Sequence, residues 1–176
     1  MLMGMLAAGG LEPVVDGIRA ADNDNPRGYH ELERVKELDK GGDVSWLDDA
    51  RGKCVKVISF LLQHLPATQH YKIVFVRRSL QEVLASQRKM LTHRGESGGD
   101  VDDEEMAKMF ARHLTKVEHQ LAGRPDCEVL YVDHHVTLTS PRLVASQVSR
   151  FLDDRLDVDK MSSVVDGRLY RNRDVS

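Results

Sequence analysis

Two apolar runs constrain the fold more than anything else in the chain: "YKIVFVR" (Tyr71 to Arg77) and "CEVLYVD" (Cys127 to Asp133). Both are β-branched and nearly continuous in apolar content, as strands buried on both faces are. A third run, "CVKVISF" (Cys54 to Phe60), has the same character and predicts a third strand. Helical text separates the runs. "EEMAKMFARHLTKVEHQLAG" sets Met106, Met109, Phe110, Leu114, Val117 and Leu121 on one helical stripe, and Gly123 stands at its C-cap. Strands joined through helices of this length pair in parallel, because a parallel connection needs a crossover. The expectation is one α/β domain over residues 1–176, with no internal repeat.

The remaining elements follow from local signals. Met1 to Ala8 predicts a helix stopped by Gly9 and Gly10, and "EPVVDG" a short strand. Asp22 to His30 is dense in turn formers. Leu32, Val35 and Leu38 mark a short amphipathic helix, and Ser45 is a candidate cap for "WLDDA". A helix is expected from about Leu80 to Arg94, then an acidic loop whose run Asp102 to Glu105 makes a negative helix start. Ser140 with Pro141 opens another helix, and "DVDKMSSVV" a last one.

Composition removes several classes of function. The net charge of −3 gives no basic field for nucleic acid, and aromatics at 5% provide few stacking platforms. No apolar run approaches the ~20 residues of a membrane span. Cys54 and Cys127 form no CxxC and no disulfide framework, which fits a reducing, cytoplasmic setting. His134 and His135 are adjacent, so an extended chain points them to opposite faces. They read as a polar loop after the strand rather than a metal pair. His113 and His119 lack helical metal-ligand spacing, and no metal is expected.

The stretch "VFVRRSLQEVLASQRKML" carries the chemistry. Ligands of parallel sheets bind outside the carboxyl ends of the strands, where Arg78 falls. Ser79 and Glu82 make an S-x-x-E capping box, and a helix N-terminus favours an anion. Ser86 follows Ser79 by seven residues, two turns along roughly the same helical face. An arginine and a hydroxyl converging there suit a phosphate.

At these residues the chain resembles sulfotransferases that use 3′-phosphoadenosine 5′-phosphosulfate (PAPS). "YKIVFVRRSLQEVLASQRKML" is similar to their 3′-phosphate-binding segment, with Arg78, Glu82 and Ser86 at the family's spacing. "DNDNPRGYHELERVKEL", "GKCVKVISFLLQHLP", "CEVLYVDHH" and "SPRLVASQVSRFLD" resemble further family segments in the family's order. The resemblance implies a three-layer α/β fold around a parallel sheet of the P-loop NTPase-like sulfotransferase type. It also implies PAPS as co-substrate, held at its 3′-phosphate by Arg78 and Ser86, and a hydroxyl or amine acceptor. Arg77 receives no role from it.

The match departs from the family in three places. The family's opening strand and P-[RK]-S-G-[TS] turn, which cradles the 5′-phosphosulfate, is missing, and "MLMGMLAAGG" resembles the helix that follows that turn. The expectation is a segment preceding Met1 that carries the turn. The alternative is a non-catalytic remnant that binds adenosine 3′,5′-bisphosphate or a protein partner. A nucleotide or small-molecule kinase relative is a further alternative, opposed by the lack of G-x-x-x-x-G-K-[ST]. A sheet short of one strand would also expose an edge that favours a homodimer. Second, Lys56 is followed two residues on by Ile58 rather than the histidine base of many members, so the base stays unassigned. Lys56 is a candidate contact to the sulfuryl group, and Glu31 and Glu33 are candidate bases. Third, Arg168, Arg171 and Arg173 lie where the family closes a basic segment over the phosphate, without its R-K-G form.

Overall fold

The computed structural model describes residues 1–18, 28–84 and 103–167. Residues 22–27 of the expected turn-rich loop, 85–94 of the expected helix after Arg78, the acidic stretch 95–102 and the basic tail 168–176 lie outside the described residues.

Among the described residues two strands form the sheet: β1 (Tyr71–Arg77) and β2 (Cys127–Asp133), paired in parallel from Tyr71↔Cys127 to Arg77↔Asp133. Seven helices among the described residues surround them. These are α1 (Leu2–Ala8), α2 (Trp46–Asp49), α3 (helical over 80–84), α4 (Asp103–Ala122), α5 (His134–Thr139), α6 (Pro141–Phe151) and α7 (Val158–Ser163). Two 3-10 helices, Glu33–Lys40 and Ser59–His64, complete the described elements. The chain is therefore α/β with a small parallel sheet.

The sheet separates two apolar clusters. Tyr71, Ile73, Phe75, Val129 and Tyr131 pack with Val35, Leu38, Trp46, Leu61, Val117 and Leu121. Val74, Leu130 and Val132 pack with Met5, Leu6, Val144, Val148 and Met161. Alternation along each strand explains the division, since successive side chains face opposite sides. Both faces are thus covered by helices, which is why the strand sequences are apolar almost without a break.

Helix ends obey the local signals. Gly123 N–H donates to the carbonyls of His119 and Gln120 and closes α4. Pro141 sits at the first turn of α6 behind Ser140. α1 ends at Gly9, whose carbonyl accepts from Asp157 N at 3.0 Å. A Cβ at Gly9 would stand 2.6 Å from Met161 Cγ, so glycine there allows α1 to close on α7. The segment around Leu32, Val35 and Leu38 is 3-10 rather than α-helical, with Val35 and Leu38 still buried.

Three sequence expectations are corrected. Cys54 to Phe60 is not a strand: it makes a single parallel bridge, Pro13↔Cys54, and then enters the 3-10 helix from Ser59. A strand exists only through its ladder, and beyond that bridge no described residue pairs with this run. "EPVVDG" contributes only the other half of the same bridge. His134 and His135 open α5 rather than a loop, because the Asp133 carboxylate accepts from Val136 N at 2.9 Å and caps the helix.

Candidate functional site

The candidate site lies where both strands end. The register runs to Arg77↔Asp133, so Arg78 and His134 leave the sheet side by side at its carboxyl edge. Val83 N donates to Ser79 O, the first bond of α3. Ser79 is the cap by position, yet among the described residues its hydroxyl makes no hydrogen bond. Glu82 instead turns back to Arg78, whose Nε donates to Glu82 Oε2 at 2.9 Å. The capping box expected from S-x-x-E is replaced by an i,i+4 ion pair.

That pair is sheltered. The Glu82 side chain is 8% exposed and that of Arg78 27%. His134 Nδ1 lies 3.9 Å from Glu82 Oε2, so the histidine joins the pair. Burial holds the His134 pKa below its ordinary value, and the Arg78 charge pushes the same way. Glu82 and Asp133 oppose them. The result is a cation, a carboxylate and a neutral imidazole gathered at the end of a parallel sheet. Arg78 gives only Nε to Glu82 among the described residues, and the outer guanidinium nitrogens remain to meet an anion.

The sequence singled out Arg78 but assigned His134 to a loop. Its signal was the strand end itself: Arg78 and His134 follow the last residues of two strands that pair in register. Ser86, the proposed partner of Arg78, lies outside the described residues, as do Arg168, Arg171 and Arg173.

Arg77 points elsewhere. Its guanidinium stacks on Tyr131 at 4.1 Å from the ring centroid and pairs with Glu118 of α4 at 3.0 Å. Lys56 and Glu31 are brought together: Lys56 Nζ donates to Glu31 Oε1 and to the Tyr29 carbonyl, both at 3.1 Å. Glu33 pairs with Lys36 on an exposed helix face. His113 shares a 3.0 Å hydrogen bond with Ser59 and stacks against Phe60. His64 is exposed.

No group of three or more histidine, cysteine or acidic side chains stands close enough to hold a metal among the described residues. Cys54 and Cys127 are free thiols, and burial pushes Cys54 up to about 11, which keeps it protonated at neutral pH. No described helix is long and apolar enough to cross a membrane. No family model, curated protein or solved structure matches this chain.

Proposed function

We propose that this is a sulfotransferase-like protein of the P-loop NTPase-like, three-layer type, in which Arg78 clamps the 3′-phosphate of PAPS. One observation carries the reading: Arg78 sits at the carboxyl end of a parallel strand, at the start of a helix, with its outer guanidinium nitrogens available. The helix N-terminus adds its dipole to the arginine charge. Ser86 completes the clamp on this reading.

In the transfer, an acceptor oxygen or nitrogen attacks the sulfur of PAPS. The bond from sulfur to the bridging phosphate oxygen breaks, and adenosine 3′,5′-bisphosphate leaves. The acceptor's proton passes to a base. A second reading, a nucleotide-binding protein without transfer activity, draws on Lys56. Its amine is already committed to Tyr29 and Glu31 rather than open to a sulfuryl group.

Thermal unfolding with two nucleotides tests the clamp. PAPS at about a hundred times its Kd stabilises the fold by about 2.7 kcal/mol, a rise of about 5–10 °C for a domain of this size. Adenosine 5′-phosphosulfate, which lacks the 3′-phosphate, is expected to leave the midpoint in place. An equal rise with both, or no rise with either, removes the reading.

A further inference from the structure

A phosphate at the carboxyl edge of the sheet meets an electrostatic difficulty. Arg78 already donates from Nε to Glu82 Oε2 at 2.9 Å, and that carboxylate is sheltered from water. Arg78 and Glu82 together carry no net charge. A phosphate monoester is close to a dianion at neutral pH, because its second pKa is about 6. Seated on the outer guanidinium nitrogens, it also comes near the Glu82 carboxylate. Shelter from solvent strengthens that repulsion along with the attraction to Arg78. A third group is needed to balance the charge.

His134 stands in the right place for it. The strands end in register at Arg77↔Asp133, so His134 leaves the sheet beside Arg78. Its Nδ1 is 3.9 Å from Glu82 Oε2, the same oxygen that accepts from Arg78. The start of α5 fixes the residue: the Asp133 carboxylate accepts from Val136 N, and the Thr137 hydroxyl donates to the Asp133 carbonyl. The side chain keeps 19% of its surface exposed, so a ligand can reach the ring. Four charges face the imidazole. Arg78 and the α-amino group of Met1 oppose its protonation, and Glu82 and Asp133 favour it. Burial outweighs each of them and holds the ring neutral at neutral pH in the free chain. A phosphate adds anionic charge to a balance this close.

We propose that His134 is a second ligand of the 3′-phosphate, and that it takes up a proton from solvent as the phosphate binds. The inference rests on the reading of Arg78 as the 3′-phosphate clamp. A protonated imidazole carries two N–H donors, and here Nδ1 faces Glu82 while Nε2 serves the phosphate. The bound site then sets two cations against Glu82 and the phosphate. Affinity should therefore rise as pH falls from about 8.5 to about 7, toward the ordinary histidine value. A nucleotide without the 3′-phosphate draws no proton into the site.

Calorimetric titration of the full chain with adenosine 3′,5′-bisphosphate counts the protons. Run at about pH 7.5 in HEPES and in Tris, which differ in heat of ionisation, it converts the difference in binding enthalpy into uptake. The free phosphate is already a dianion there and releases almost no proton of its own. Uptake should reach about half a proton or more per nucleotide. His134→Gln should lose that uptake and bind at least about tenfold more weakly. A reading on the parent chain covers the case of a variant that fails to fold: in an NMR pH titration, bound nucleotide should move the His134 ring signals to a higher midpoint. Three results overturn the inference and leave the clamp standing. They are 3′-phosphate-dependent binding with no proton taken up, a His134 midpoint that nucleotide leaves in place, or uptake that persists in His134→Gln. The last would assign the proton to the Met1 amine or the phosphate itself. Equal binding of adenosine 5′-monophosphate, or no binding of either nucleotide, removes the clamp reading and the inference with it.

Discussion

Adjacent arginines at the end of β1 do unrelated work. Arg77 belongs to the strand and shares the face of Phe75, where Tyr131 and Glu118 receive it. Arg78 follows the strand and turns to Glu82 and His134. The sequence put Arg78 just past a strand end, where the structure has it, because strand end, helix start and charge are all local signals. It left Arg77 without a role because Tyr131 and Glu118 lie more than forty residues away and meet it only through the parallel register. His134 was illegible for the same reason, since its burial depends on Glu82 from the other strand's exit. That burial has a pH consequence. The native chain holds His134 below its ordinary value, so the unfolded chain binds more protons as pH falls, and stability drops with it. His30, also depressed chiefly by burial, works in the same direction. The unfolding midpoint should therefore fall as pH goes from about 7.5 to about 5.5, through the ordinary histidine range near 6.5. His134→Gln should make that slope shallower, His30 supplying the remainder. An unchanged slope in the variant would contradict the burial described for His134.

At the scale of elements, the parts that were legible are those with a local cause. α1 stops at its glycines, α6 starts at Ser140-Pro141, and the two strands announce themselves by apolar continuity. Cys54 to Phe60 has the same composition and is not a strand, because strand formation depends on a partner edge as well as propensity. α5 was missed because a short polar run carries no periodicity, and its existence rests on the Asp133 cap. In α4 the expected stripe is correct in its centre and wrong at one edge. Val117 and Leu121 are buried, whereas Met109 is 61% exposed. Helical rotation carries Met109 about 100° from the centre of the buried arc, outside the core-facing stripe. Leu121→Ala should therefore destabilise the protein by about 2–5 kcal/mol, by lost burial and the cavity left. Met109→Ala should stay within about 0.5 kcal/mol. Urea unfolding of the two variants checks the pair, and similar losses in both would mean α4 is rotated from the position described.

For the whole molecule, the sheet is a partition between two apolar clusters, and its carboxyl edge is where polar groups gather. The same parallel arrangement therefore sets both the core and the candidate site. The strand ends carry Arg78 and His134. The central claim is that this carboxyl edge holds the 3′-phosphate of an adenine nucleotide. Arg78→Ala alone tests it poorly, since it removes the guanidinium from beside a carboxylate that is 8% exposed and lowers stability for that reason too. Arg78→Lys keeps a cation beside Glu82 but loses the planar fork that grips a phosphate. The direct measurement is calorimetric titration of adenosine 3′,5′-bisphosphate against adenosine 5′-monophosphate, on the parent chain, Arg78→Lys and Ser86→Ala. Binding should require the 3′-phosphate and weaken at least about tenfold in each variant, with unfolding midpoints near that of the parent. Equal affinity for the two nucleotides, no binding of either, or full affinity in Arg78→Lys would contradict it.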